Sequence, residues 1–195
     1  MVTTPDIKKL RERTGAGILD CRDALTACSG DFDKALGMLR EKGVLASEKR
    51  ADRLASHGYI ATYNHHGLIG VLVELRCETD FVSLNRAFRE LAHEVALQVA
   101  ARNPQWVSRA DVPANAIEQF AAAERAAAIE AGKPEQIVER IVSGKVERFY
   151  RDNCLLEQTS IRDDKSTVGG LIQDKLVAFG ERIYVSRFTR FAIEG

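Results

Sequence analysis

Few side chains in this chain could do covalent chemistry, and their settings do not suit it. Cys77 with His93 is the pairing a nucleophile and its base would need, His65-His66 offers two imidazoles in a row, and Gly15-Ala16-Gly17 is the nearest thing to a phosphate loop. Cys77 ends an apolar, strand-like run, while His93 falls on the outward side of its helical pattern. Adjacent histidines in a polar turn are normally just solvated. The glycine cluster lacks the following lysine and the preceding strand that a phosphate loop requires. Thr79-Asp80-Phe81-Val82 offers a different chemistry, that of contact. It follows the apolar run 68–77 and precedes a helical pattern starting near Leu84, so an acid and an aromatic stand at a strand-to-helix corner. By spacing alone, a loop phenylalanine more often folds back onto its own core. The surroundings have to decide.

Those surroundings are bounded by composition. The 195 residues suffice for one medium domain, or a small domain and a larger one. Hydrophobic residues at 45% can build a core, and Lys plus Arg equals Asp plus Glu at 28 each. That balance argues against a protein whose main task is neutralising nucleic-acid phosphates, so direct nucleic-acid binding is not expected. Cys21, Cys28, Cys77 and Cys154 show no metal-like spacing and read as small buried thiols in a reducing compartment. No metal or cofactor is called for. Pro5, Asp6, Lys8 and Lys9 interrupt any signal-like run, and no stretch approaches the ~20 apolar residues needed to cross a bilayer. A soluble, cytoplasmic protein with no membrane partner is expected.

The elements follow from period and punctuation. Residues 1–45 read as a three-helix unit: Pro5 near a helix start with Ile7 and Leu10 behind it, a break at 14–17, then Asp20 as the cap of a helix carrying Ala24, Leu25 and Cys28. Ser29-Gly30-Asp31 stops and restarts the chain, and Phe32, Ala35, Leu36 and Leu39 mark a third helix ending at Gly43. Residues 46–56 are charged, lack a clear apolar stripe and read as a linker, with some helix allowed in it. From Gly58 the period becomes two, and the runs 59–63 and 68–76 flank the turn Asn64-His65-His66-Gly67 as a β-hairpin. Ile69, Val71, Val73 and Leu75 share one face, which a helix carrying Leu84, Phe88, Leu91, Val95 and Val99 should cover. Asn103-Pro104 ends that helix.

Two helical patterns over about 113–150, broken at Gly132-Lys133-Pro134, predict an antiparallel helical hairpin that projects from the body, with an alanine-rich side. Residues 152–166 are irregular, 168–179 form a short helix, and a last strand carries Ile183, Val185, Phe188, Phe191 and Ile193. Apolar residues on both its faces predict burial on both sides, by helices or by a second copy of the chain. The whole is an α+β fold: a three-helix module (1–45), a linker (46–56), and a core (57–195) in which a small antiparallel sheet packs with helices and bears the hairpin.

In this order the segments resemble the elongation factor Ts family, the guanine-nucleotide exchange factors for elongation factor Tu. The resemblance covers nearly the whole chain. It rests on Leu10-Arg11-Glu12-Arg13-Thr14-Gly15-Ala16-Gly17 with Asp20-Cys21, on Cys77-Glu78-Thr79-Asp80-Phe81-Val82, and on Gly132-Lys133-Pro134. It continues through Cys154-Leu155-Leu156-Glu157-Gln158, Thr167-Val168-Gly169 and Arg187-Phe188-Thr189-Arg190-Phe191. The resemblance implies a ubiquitin-associated-like N-terminal module and a factor that is not an enzyme. It implies binding to elongation factor Tu in its GDP-bound and nucleotide-free forms. It also implies that Asp80 and Phe81 act as a wedge against the partner's magnesium and phosphate site, with Thr79 and Val82 holding the corner. Arg11, Ile18 and Leu19 become candidates for a second contact, Ile18-Leu19 standing where family members often carry methionines. Longer members hold a second copy of the strand-and-helix unit, whereas this chain holds one. A three-stranded sheet with a bare apolar face is poorly stable alone, so a homodimer is expected unless residues 152–166 cover that face.

Overall fold

Helix α1 (Thr4–Thr14) starts on a capping box: the Thr3 N–H and hydroxyl donate to the Asp6 carboxylate at 3.2 and 2.5 Å, and the Asp6 N–H donates back to the Thr3 hydroxyl at 3.4 Å. The computed structural model describes residues 2–14, 16–48 and 54–193. Helix α2 (Ile18–Ala27) begins after Gly17 without a side-chain cap. Asp20 is therefore not the cap expected of it. It lies inside the first turn, with its carboxylate 2.9 Å from where a Cβ on Gly17 would stand. Helix α3 (Phe32–Glu48) is capped by Asp31, which accepts from the Lys34 N–H at 3.1 Å. It runs through Gly43, the expected end, because one glycine costs a helix only about 1 kcal/mol and does not by itself stop it. The expected linker thus begins with the last turn of α3, residues 49–53 lie outside those described, and 54–56 are irregular. The three helices close on Leu10, Cys21, Ala24, Leu25, Ala35 and Leu39, all buried.

Among the described residues, three strands form one antiparallel sheet in the order β1 (His57–His65), β2 (Ile69–Cys77), β3 (Tyr184–Ala192). His66 (φ 51°) and Gly67 (φ 74°) make the tight hairpin turn between β1 and β2, closed by Leu68 N–H to His65 C=O at 2.9 Å. Gly58 is required by close approach: a Cβ there would stand 2.4 Å from the Leu75 carbonyl oxygen. Val71, Val73 and Leu75 face inward and are buried.

Past Cys77 the chain makes two helices where one was expected: α4 (Asp80–Leu84) and α5 (Arg86–Arg102). Asn85 separates them. Its N–H closes α4 on Val82 C=O at 3.0 Å, and its side-chain oxygen accepts the Ala87 N–H at 2.8 Å to start α5. Leu84, expected on the buried stripe, is consequently 65% exposed, while Phe88, Leu91, Val95 and Val99 are buried as expected. The Tyr59 hydroxyl meets His93 Nε2 at 3.4 Å, and the Arg89 guanidinium lies over the Tyr59 ring. Tyr59 pairs with Leu75, so these contacts set α5 over the inward face of the sheet.

Strand β3 is covered on one side only. Ile183 and Val185 are buried, whereas Phe191 and Ile193 are exposed, so burial on both sides is not met among the described residues. Phe191 lies opposite Gly70, and Leu72 and Ile60 occupy the same outward face, both exposed.

The chain divides into two compact units: residues up to Leu97 with those from Gly170 onward, and Gln98–Gly169. In the second, α6 (Ala114–Glu130) and α7 (Glu135–Asn153) form the expected antiparallel hairpin around Gly132 (φ 69°). The Phe120 and Phe149 rings meet at a tilt of 42°, Arg125 pairs with Glu139, and Ala128 packs with Val138 and Val142. The segment 152–166 is more ordered than expected. Leu155 and Leu156 donate to the carbonyls of Trp106 and Val107 at 2.9 and 3.0 Å, and buried Gln98 accepts the Ile161 N–H at 2.9 Å. Helix α8 (Val168–Phe179) matches the expected short helix.

Candidate partner-binding surface

The corner is built from its cap upward. Thr79 is extended (φ −121°, ψ 158°) and is the N-cap of α4, its hydroxyl accepting the Val82 N–H at 3.4 Å. The hydroxyl also donates to the Glu181 carboxylate at 2.6 Å, and the Thr79 N–H donates to the other oxygen of that carboxylate at 3.1 Å. One residue along each segment, the Arg182 N–H donates to Glu78 at 2.8 Å. The far end of α4 is held as well: the Ser83 hydroxyl donates to Asp80 C=O at 2.8 Å, and Arg89 donates to Ser83 C=O at 3.1 Å.

On this frame Val82 turns inward and is 2% exposed, while Phe81 turns outward and is 77% exposed. Asp80 beside it is also exposed. Phe81 does not fold back onto its own core. The four corner residues are brought together as one short helical turn, with polar bonds beneath and an aromatic ring on top. Glu78 and Glu181 were missed by sequence reasoning. Glu181 lies 102 positions from Thr79, and a lone Glu after a short helix carries no local signal.

On the N-terminal module, Arg11 is exposed in the last turn of α1, and Ile18 and Leu19 are 55% and 63% exposed in the first turn of α2. Ala16, two residues before Ile18, is buried, so the chain turns this small residue in and the two large ones out.

The covalent alternatives find no support in the geometry. Cys77 is fully buried, its thiol donates to Thr79 C=O at 3.2 Å, and burial, with Glu181 nearby, pushes that thiol up to about 11. A thiol so shifted is no nucleophile near neutral pH. His93 is exposed and faces the Tyr59 hydroxyl instead. His65 Nδ1 meets the Tyr63 hydroxyl at 3.0 Å, and its ring packs edge-on against His66. Among the described residues no group of three or more His, Cys, Asp or Glu could hold a metal ion, and no helix is long and apolar enough to cross a membrane.

A braced corner with one bare aromatic ring can act chemically by touching another macromolecule: it has the form of a protein-contact surface. Comparison with known proteins identifies the family. The family model described as "Elongation factor TS" matches residues 29–194. The elongation factor Ts of Moorella thermoacetica is 48% identical over 194 residues, covering 99% of this chain and 96% of that protein. Those of Caldanaerobacter subterraneus subsp. tengcongensis (46% over 192 residues; 98% and 96%) and Fervidobacterium nodosum (48% over 188 residues; 96% and 95%) are similar along nearly their whole lengths as well. The chain belongs to the elongation factor Ts family, and its three-helix N-terminal module fits the ubiquitin-associated-like description.

Proposed function

We propose that this chain is a guanine-nucleotide exchange factor that binds elongation factor Tu carrying GDP, promotes GDP release and so allows GTP to enter. The observation that carries the reading is Phe81, bare on a corner held by the Thr79–Glu181 bonds and by buried Val82. Asp80 and Phe81 form the wedge that disturbs the partner's magnesium and phosphate site, with Thr79 and Val82 holding its shape. Arg11, Ile18 and Leu19 make the second contact, from the module at 1–45. No covalent bond is made or broken, and the factor itself needs no cofactor or metal. It acts in the cytoplasm and does not bind nucleic acid directly.

Exchange of this kind is linkage. The factor prefers the nucleotide-free partner, so nucleotide must weaken the factor by the same ratio that the factor weakens nucleotide. Burying one Phe side chain contributes ~1.5–3 kcal/mol. At ~1.4 kcal/mol per decade, Phe81 alone loosens nucleotide about ten- to a hundredfold. Greater loosening needs the contact of the N-terminal module, or loss of the partner's magnesium, which bridges phosphate charge to the protein.

The core at 57–195 pairs with itself as a homodimer. Supporting this is the outward sheet face, where Ile60, Leu72 and Phe191 stand together in water. Release of fluorescent GDP from elongation factor Tu tests the wedge. Phe81→Ala should slow catalysed release at least tenfold while the factor stays folded, and release at the wild-type rate refutes it.

A further inference from the structure

We propose that Glu181 is a positioning residue for the corner, setting the pose in which Phe81 meets its partner; this rests on the exchange reading above. The Glu181 carboxylate can only accept hydrogen bonds. Because the Thr79 hydroxyl donates its hydrogen to this carboxylate at 2.6 Å, the hydroxyl lone pairs stay free to receive the Val82 N–H, the bond that caps α4. The Thr79 N–H goes to the other carboxylate oxygen, so both rotation of the side chain and tilt of the backbone at the cap are specified from one residue. The stitch is reciprocal, because Glu78, just before Thr79, accepts the N–H of Arg182, just after Glu181.

A helix of five residues has no stability of its own, and its cap decides where it points. Phe81, two residues past the cap, has little packing to hold it, so its direction is inherited from that cap. Glu181 in turn is firmly mounted. Buried Ile183 follows it, and α8 before it is tied to the N-terminal module: Asp174 pairs bidentately with Arg40 at 2.6 and 2.7 Å, and Val177 packs against the module's core. Helix α8 and the turn after it thus form a fixed mount, reaching both the module that carries Ile18 and Leu19 and the corner that carries Phe81.

The test is stopped-flow release of fluorescent GDP from elongation factor Tu across a range of factor concentrations, with the full chain. Glu181→Ala should lower the maximal release rate about tenfold, the loss expected for charge-assisted hydrogen bonds, and shift the half-saturating concentration less than about threefold. Glu181→Gln, which keeps one acceptor, should fall between. The Glu181→Ala change should cost clearly less in a Phe81→Ala background than alone, since the ring is gone and only Asp80 is left to position. An unchanged maximal rate, or a full additional loss in that background, overturns the proposal. Should Glu181→Ala fail to fold, Thr79→Val takes its place with the same two criteria. It keeps the branched shape but removes the hydroxyl, and with it both the bond to Glu181 and the cap on the Val82 N–H. A wild-type factor that leaves release at its spontaneous rate overturns the exchange reading itself, and this proposal with it.

Discussion

Phe81 and Phe191 are almost equally bare, at 77% and 71% exposed, yet they are mounted in opposite ways. Phe81 rides on a single helical turn held by Glu181, Ser83 and Arg89, with Val82 anchored beneath. Phe191 lies on an edge strand opposite Gly70, sharing a flat face with Leu72 and Ile60. One is a point, suited to insertion into a shaped site. The other is part of a patch, suited to a matching flat surface such as the same face of a second copy. Exposure alone does not tell these roles apart; what backs the ring does. Phe88, seven residues after Phe81 and fully buried, is the reference for an aromatic doing neither.

The largest effect should come from that reference. Phe88→Ala should cost about 3–5 kcal/mol in denaturant unfolding, against less than about 0.5 kcal/mol for Phe81→Ala. Comparable losses would mean that the corner is packed, and the contrast would fail. Next, Phe191→Asp places a charge on the patch and should weaken self-association by about a hundredfold or more, seen as a halved mass in light scattering. Phe81→Ala should leave that mass unchanged, and a mass insensitive to Phe191→Asp would remove the patch from the interface. Ile18→Ala with Leu19→Ala should raise the half-saturating concentration in the exchange assay about three- to tenfold while sparing the maximal rate, since exposed aliphatic contacts contribute binding.

The smallest expected effect concerns Glu74, in the middle of the outward face. A hydrogen bond from Arg187, with help from Arg76, holds its carboxyl below the usual range. A depressed carboxylate stabilises the fold above its unfolded pKa, and that contribution is lost as pH falls through the folded value. Acidification below about pH 4 should therefore cost the wild type slightly more stability than Arg187→Ala, read as a shallower melting-temperature slope in the variant. Equal slopes would show that the pair contributes nothing to stability.

Much of this was legible in the residues. Alternation in 68–76 and the steps from Phe88 to Val99 marked a strand and its covering helix because side-chain direction repeats with the backbone's own period. Gly132-Lys133-Pro134 marked the hairpin turn because only such residues reverse the chain so tightly. Leu84 misled because it continues the spacing of α5, while Asn85 ends one helix and caps the next, rotating Leu84 out of the stripe. Gly43 misled in the other direction, since a glycine stops a helix only where the chain also turns away.

The corner divides along the same line. Its place between strand and helix, and the presence of Asp80 and Phe81 there, were set by local order along the chain. Whether the ring turns in or out was not, because a five-residue helix lacks the energy to orient itself. That was decided by Glu181, arriving from 102 positions away to accept hydrogen bonds from both the N–H and the hydroxyl of Thr79. Local periodicity determined the elements of this protein and their order; only the folded chain, which brings distant polar groups within hydrogen-bond reach, decided which phenylalanine is presented and how firmly.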